Sequence, residues 1–199
     1  MANFRAVFDV GNSLAAFLQN AYPADLNASF PCTFRLVSSG EIAAEEGSSL
    51  DQVVSIFLHR ISTDEYFRSA TRVQDAPGIQ PSLFLDLHYL ITYWGTSAEA
   101  EQTILAWTMQ QIQTTPILDS SMLSTTAGWG KTEQVQLMPA DLSLEDILRI
   151  WDALGPKYRL SAGYLARVLR IDRDIADDVP VVATRFTLET SVPVAGSAQ

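Results

Sequence analysis

One cysteine, Cys32, and two histidines, His59 and His88, are all the thiol and imidazole that this 199-residue chain carries. A lone cysteine excludes an internal disulfide and any tetrahedral zinc site built on cysteines. Two histidines on different elements make three or four convergent metal ligands hard to assemble. Basic residues are also scarce: 13 against 23 acidic ones, for a net charge of −10. Such a surface repels phosphate backbones and anionic membranes, so nucleic acid is not an expected partner. No run approaches the roughly 20 apolar residues of a membrane span. The N-terminus, MANFRAVFDVGN, lacks the basic-then-apolar order of a signal peptide. The expectation is a soluble protein from a reducing compartment.

Catalytic signatures are missing as well. There is no Gly-x-Ser-x-Gly elbow, and Gly128-Trp129-Gly130 is too short for a phosphate loop and lacks its lysine–serine pair. The acidic residues Glu99, Glu101, Glu145 and Asp146 fall in first turns of expected helices, where the helix dipole favours them. Neither a cofactor nor a metal is expected.

What is present is a chain able to bury a core: 47% of its residues are hydrophobic. Phe4, Val7, Phe8, Leu14, Ala15 and Leu18 recur at helical spacing over Phe4 to Ala21, with Gly11 and Asn12 weakening the middle. Phe30, Cys32, Phe34 and Leu36 alternate on one face of a strand, which makes Cys32 a small buried thiol, with a reactive one as the alternative. Residues 38–52 are polar, acidic and glycine-containing, and read as a mobile loop. Val53 to Ile61 is an apolar strand, and Asp64 to Gln80 is irregular. Thr96-Ser97-Ala98-Glu99 is a capping box with Thr96 as the cap. The helix it opens, to Thr114, carries Ala100, Ile104, Trp107 and Gln111 in one row, with Leu105, Met109 and Ile112 beside it as core.

Ser120 to Lys131 is a loop, and Glu133 to Met138 a short strand. Ser143 caps a second helix, with Leu142 stapled to Ile147 and a buried stripe of Leu144, Ile147, Leu148, Trp151 and Leu154. Gly155-Pro156 ends it. Tyr164 to Ile171 and Val181 to Thr190 are further strands. The tail 191–199 has nothing to hold it and is expected to be disordered. The architecture is α+β in one domain over 1–190: a mixed, largely antiparallel sheet with about three helices and about five or six strands.

The stretch LDLHYLITYWG, 85–95, invites a chemical reading, because Asp86 and His88 share a strand face. That face also carries Leu90, Thr92 and Trp94; the other carries Leu85, Leu87, Tyr89, Ile91 and Tyr93. A strand apolar on both faces is central in a sheet covered on both sides or lies at a subunit contact. Asp86 and His88 are therefore expected to be a satisfied structural pair. Two sets of residues are candidates for contacts. Arg159, Arg167, Arg170, Arg173 and Arg185 cluster late in an acidic chain, either as solvated faces or as complements to an acidic neighbouring copy. Trp129, between two glycines, is either an aromatic anchor or local packing.

Three stretches carry a resemblance: LDLHYLITYWG, the helix AEAEQTILAWTMQQIQTTPIL (98–118), and EQVQLMPADLSLEDILRIWDALGPKYRLSAGYLARVLRID (133–172). Together they resemble the cap, or tail-terminator, family of phage-tail-like contractile injection systems, of the Photorhabdus virulence cassette and antifeeding-prophage types. The resemblance runs from the N-terminal helix to about Asp172. It implies a tail-terminator-like fold and a structural role without catalytic residues. It also implies a homo-hexameric ring that binds the last inner-tube and sheath rings, stops their growth, and assembles in the cytoplasm. Some relatives continue into a further C-terminal region. Two other readings compete: a baseplate or adaptor module of the same particle, and a small hydrolase using Cys32 or the Asp86–His88 pair.

Overall fold

A computed structural model describes residues 2–44, 50–63, 82–130 and 132–171. The elements are α1 (Ala6–Ala21), α2 (Ala24–Ser29), β1 (Thr33–Val37), α3 (Ser39–Ala44), β2 (Val53–Thr63) and β3 (Leu83–Trp94). They continue with α4 (Ala98–Thr114), β4 (Ile117–Asp119), β5 (Gln134–Pro139), α5 (Leu144–Leu154) and β6 (Ser161–Ile171). The strands form a six-stranded sheet in the order β1-β2-β3-β6-β5-β4. Only β1 and β2 run parallel among these pairs; the other neighbours are antiparallel. A parallel pair needs a crossover, and the segment containing α3 supplies it. The fold is thus the expected mixed α+β. The strand expected over Val181 to Thr190, the tail 191–199 and the irregular segment Asp64 to Gln80 lie outside the described residues.

The central strand β3 divides the interior. Leu85, Leu87, Tyr89, Ile91 and Tyr93 enter a first core with α1 and α4, through Val10, Leu14, Leu18, Ile104, Leu105 and Ile112. Leu90 and Trp94 enter a second core with Val37, Ile42, Leu50, Val53 and Trp151. Alternation on an extended strand sends neighbours to opposite faces, so one sequence serves two cores.

Several expectations are corrected. Residues 38–52 are not a plain loop, because 39–44 form α3 and bury Ile42 beneath the second core together with Leu50. The alternation expected of the first strand holds: Cys32 and Phe34, with Phe30 and Leu36 packed beside them, face the first core, while Val37 turns to the second. The cap of α4 is Ser97, whose hydroxyl accepts from the Ala100 amide at 3.4 Å, not Thr96. Met109 on α4 is 44% exposed. The helix begins at Ala6, so Phe4 lies before it; Phe4 and Phe8 are exposed, while Val10, Leu14 and Leu18 are buried and form the packing stripe of α1.

Gly11 has a packing reason. A Cβ built there would come within 2.6 Å of Leu36 Cδ1 and 3.2 Å of the Tyr89 hydroxyl. A side chain at this position would oblige Leu36 to turn aside, so the glycine lets helix and sheet meet with Leu36 in place. The short α1 loop contact is polar: Asp9 is buried, and the Thr126 hydroxyl donates to both of its carboxylate oxygens at 2.8–2.9 Å.

Candidate functional site

Asp86 and His88 sit on the second face of the sheet, where it extends beyond the cover of α3 and α5. Each is tied to a different neighbouring strand. His88 Nε2 lies 2.8 Å from the Ser62 hydroxyl of β2. Asp86 Oδ1 lies 3.7 Å from Arg167 Nε of β6. His59 packs edge-on against His88 with ring centroids 6.0 Å apart. Burial, then His88, then Arg60 push the His59 ring down to a pKa of about 4. Burial and Arg60 depress His88, with Asp86 opposing them. Two neutral rings and an ion pair cross-link β2, β3 and β6, which is the structural role the strand pattern implies.

The thiol offers no nucleophile to this cluster. Cys32 is buried in the first core, on the other side of the sheet, and burial pushes its pKa up. A thiol held protonated is a poor nucleophile. Among the described residues no group of three or more His, Cys, Asp and Glu could hold a metal ion.

The arginines expected to act together divide. Arg167 and Arg170 lie on β6, in register with Gln136 and Phe84 respectively, and Arg167 is on the same face as Asp86. Arg60 of β2 joins them through its pairing with His88. The sequence reading missed Arg60, because only strand register places it there. Arg159 lies at the other end of the sheet. Its guanidinium stands 4.8 Å from the Trp94 ring and donates to the Gly95 carbonyl at 3.0 Å. A groove of about 1010 Å³ opens beside it, lined by Trp94, Glu101, Lys157 and Tyr158. Arg173 and Arg185 lie outside the described residues. Trp129 is half-buried and packs against the first core.

Helix α5 is the other departure. Its cap is as expected: the Ser143 hydroxyl accepts from the Asp146 amide at 3.1 Å. Its stripe is not. Trp151 is buried, with Ile147, Ile150 and Leu154 packed beside it. Leu144 is 64% and Leu148 44% exposed. Heptad-like spacing marks the apolar positions but does not say which side meets the sheet, and here they cover two sides.

A family model for the Pvc16 N-terminal domain matches residues 9–184. The chain belongs to that family. Among solved structures, the sheath/tube terminator of an extracellular contractile injection system, PVC, in its extended state, is similar with a TM-score of 0.52 and 21% identity. The match covers 97% of this chain and 66% of that one. This chain therefore spans somewhat less than two thirds of that terminator, and the likeness establishes the terminator fold. The tube-terminating cap of the anti-feeding prophage is more distant, with a TM-score of 0.43, 18% identity, and coverage of 72% of this chain and 52% of that one. A comparison with curated proteins gives no match. Among the described residues no helix is long and apolar enough to cross a membrane.

Proposed function

We propose that this Pvc16-family domain is a structural cap of a contractile injection system. It forms a ring, a homo-hexamer, on the distal end of the inner tube and sheath and stops both from growing. The observation that carries the reading is the family match over residues 9–184. A terminator-like fold over nearly the whole chain supports it.

The physical logic is one of surfaces. A tube lengthens because each layer exposes a face that accepts the next, a heterologous contact that never closes. A terminator matches that face once and presents a different one outward. The partners are further copies of this chain, the tube protein and the sheath protein, and assembly takes place in the cytoplasm. No substrate or cofactor enters this reading. The polar cluster around His88 serves the sheet, which favours a binding domain over an enzyme. Trp129, Arg159, Arg167 and Arg170, with Arg173 and Arg185, are the proposed contacts to neighbouring subunits, tube or sheath.

Electron microscopy of particles made without this protein tests the proposal. Tubes or sheaths of uncontrolled length, or few complete particles, are expected. A normal length distribution overturns it.

A further inference from the structure

The sheet has a notch where β5 leaves it. β5 follows β6 from Gln136, opposite Arg167, to Pro139, opposite Tyr164. The last bond between the two chains is the Ala140 amide donating to the Gly163 carbonyl at 2.9 Å. β6 itself begins two residues earlier, at Ser161, which is already in register with Thr92 of β3 on its other side. Backbone groups of alternate residues on a strand point to the same edge. Gly163 points to the β5 side, so Ser161 does too, and among the described residues no strand lies opposite it there.

The notch is apolar on both faces. A groove of about 390 Å³ opens along it, lined by Leu105 and Met109 of α4, by Leu142 and Ile147 from the α5 side, and by Leu160. Met109 and Leu160 are exposed. The rims are acidic. Asp141 lines the groove, and Glu99 stands one helical turn before Gln102, which lines it from α4. Neither carboxylate has an ion-pair partner among the described residues. The nearest cations along the chain, Lys157 and Arg159, line the other groove, beside Trp94. The described chain breaks off at Thr63 and Ile171 and resumes at Ser82, all at the opposite end of the sheet, while Leu50 leads into β2, two strands away.

We infer that this notch docks an extended segment of a partner protein, apolar on both faces and flanked by basic residues. The segment adds a short strand to β6 where β5 stops. Its backbone pairs with Ser161, its apolar side chains fill the groove on both sides of the sheet, and its basic residues meet Glu99 and Asp141. A helix or a globular surface has no free backbone donors to offer a strand edge, so the edge selects an extended partner. The inference goes beyond the capping role and does not rest on it.

A labelled, end-capped peptide, Lys-Val-Leu-Ile-Lys, tests it by fluorescence anisotropy with the full chain. Saturable binding is expected; none at peptide or protein concentrations up to about 1 mM overturns the inference. Replacing the central leucine by proline removes a backbone donor and the extended fit, and should weaken binding about tenfold. Equal binding of the proline peptide overturns the strand pairing on which the inference stands. The third arm reverses charge. Glu99 and Asp141 are exposed, so Glu99→Lys with Asp141→Lys leaves the core intact. This variant should bind the basic peptide about tenfold more weakly and prefer Glu-Val-Leu-Ile-Glu, a reversal that a misfolded chain cannot produce. An unchanged preference also overturns the inference. Failure of these arms removes the docking site and leaves the capping role, which particle length decides on its own.

Discussion

Gly163→Ala should destabilise the domain, although alanine suits a strand better than glycine. Gly163 lies on β6 opposite Leu90, beneath the segment that leads into α5. A Cβ there would stand 2.8 Å from Leu142 Cδ1 and 2.9 Å from the Ala140 carbonyl oxygen. The leucine methyl can turn aside, but the carbonyl belongs to backbone held in place by the Ala140 amide donating to the Gly163 carbonyl at 2.9 Å. Replacing glycine in a strand gains about 0.5–1 kcal/mol from the unfolded chain. Overpacking against backbone costs about 1–3 kcal/mol, and loss of the amide bond about 1 kcal/mol more. The net expectation is a loss of about 2 kcal/mol. With a urea slope of about 2 kcal/mol/M, that moves the unfolding midpoint down by about 1 M. Adding Leu142→Ala should recover only the leucine part, so the pair should be non-additive by about 0.5–1 kcal/mol. An unchanged or raised midpoint for Gly163→Ala would refute the close-packing argument.

The sequence revealed the frame of this fold wherever one pattern had one meaning. The two-sided apolarity of β3 announced a strand covered on both faces, and two cores meet at it. Ser143 and Gly155-Pro156 marked the ends of α5 because cap chemistry is local. Legibility stopped where a pattern admits two orientations. Phe4 and Phe8, or Leu144 and Leu148, satisfy helical spacing as well as the buried residues do, and only the tertiary fold selects the inward side. Residues 38–52 looked like a loop because their polar residues outnumber the apolar ones such as Ile42 and Leu50, which pack. The candidate surface was half legible. The sequence drew attention to late arginines, but strand register separates Arg159 from Arg167 and Arg170 and adds Arg60 from a distant strand.

Three further predictions probe the same packing. Trp151→Ala removes the one fully inserted side chain of α5 and should cost about 3–5 kcal/mol, read as a fall in Tm on the order of 10 °C; a fall of a degree or two would mean α5 is held by other contacts. Thr126→Ala strips the buried Asp9 carboxylate of a hydroxyl that bonds both its oxygens, for a loss of about 1.5–3 kcal/mol, and Thr126→Ser should restore it; equal stability of all three chains would contradict this. The third concerns acid. His59 has its pKa lowered from 6.5 to about 4, by burial first and then by His88 and Arg60. Its protonated form is therefore disfavoured in the native state and not in the unfolded one. Between those values the unfolded chain binds the proton that the native chain refuses, so stability rises with pH. The contribution is complete above 6.5 and is lost as pH falls through the window to about 4. A half-buried ring reached by solvent makes this about 1–2 kcal/mol. His59→Gln carries no such charge and should flatten the pH dependence of the urea midpoint by that amount relative to the native chain. The carboxylates titrate in both proteins, so the difference between the two curves isolates the imidazole. Parallel curves through this window would show that His59 accepts its proton freely in the folded state, and that the sheet face around it is open to water.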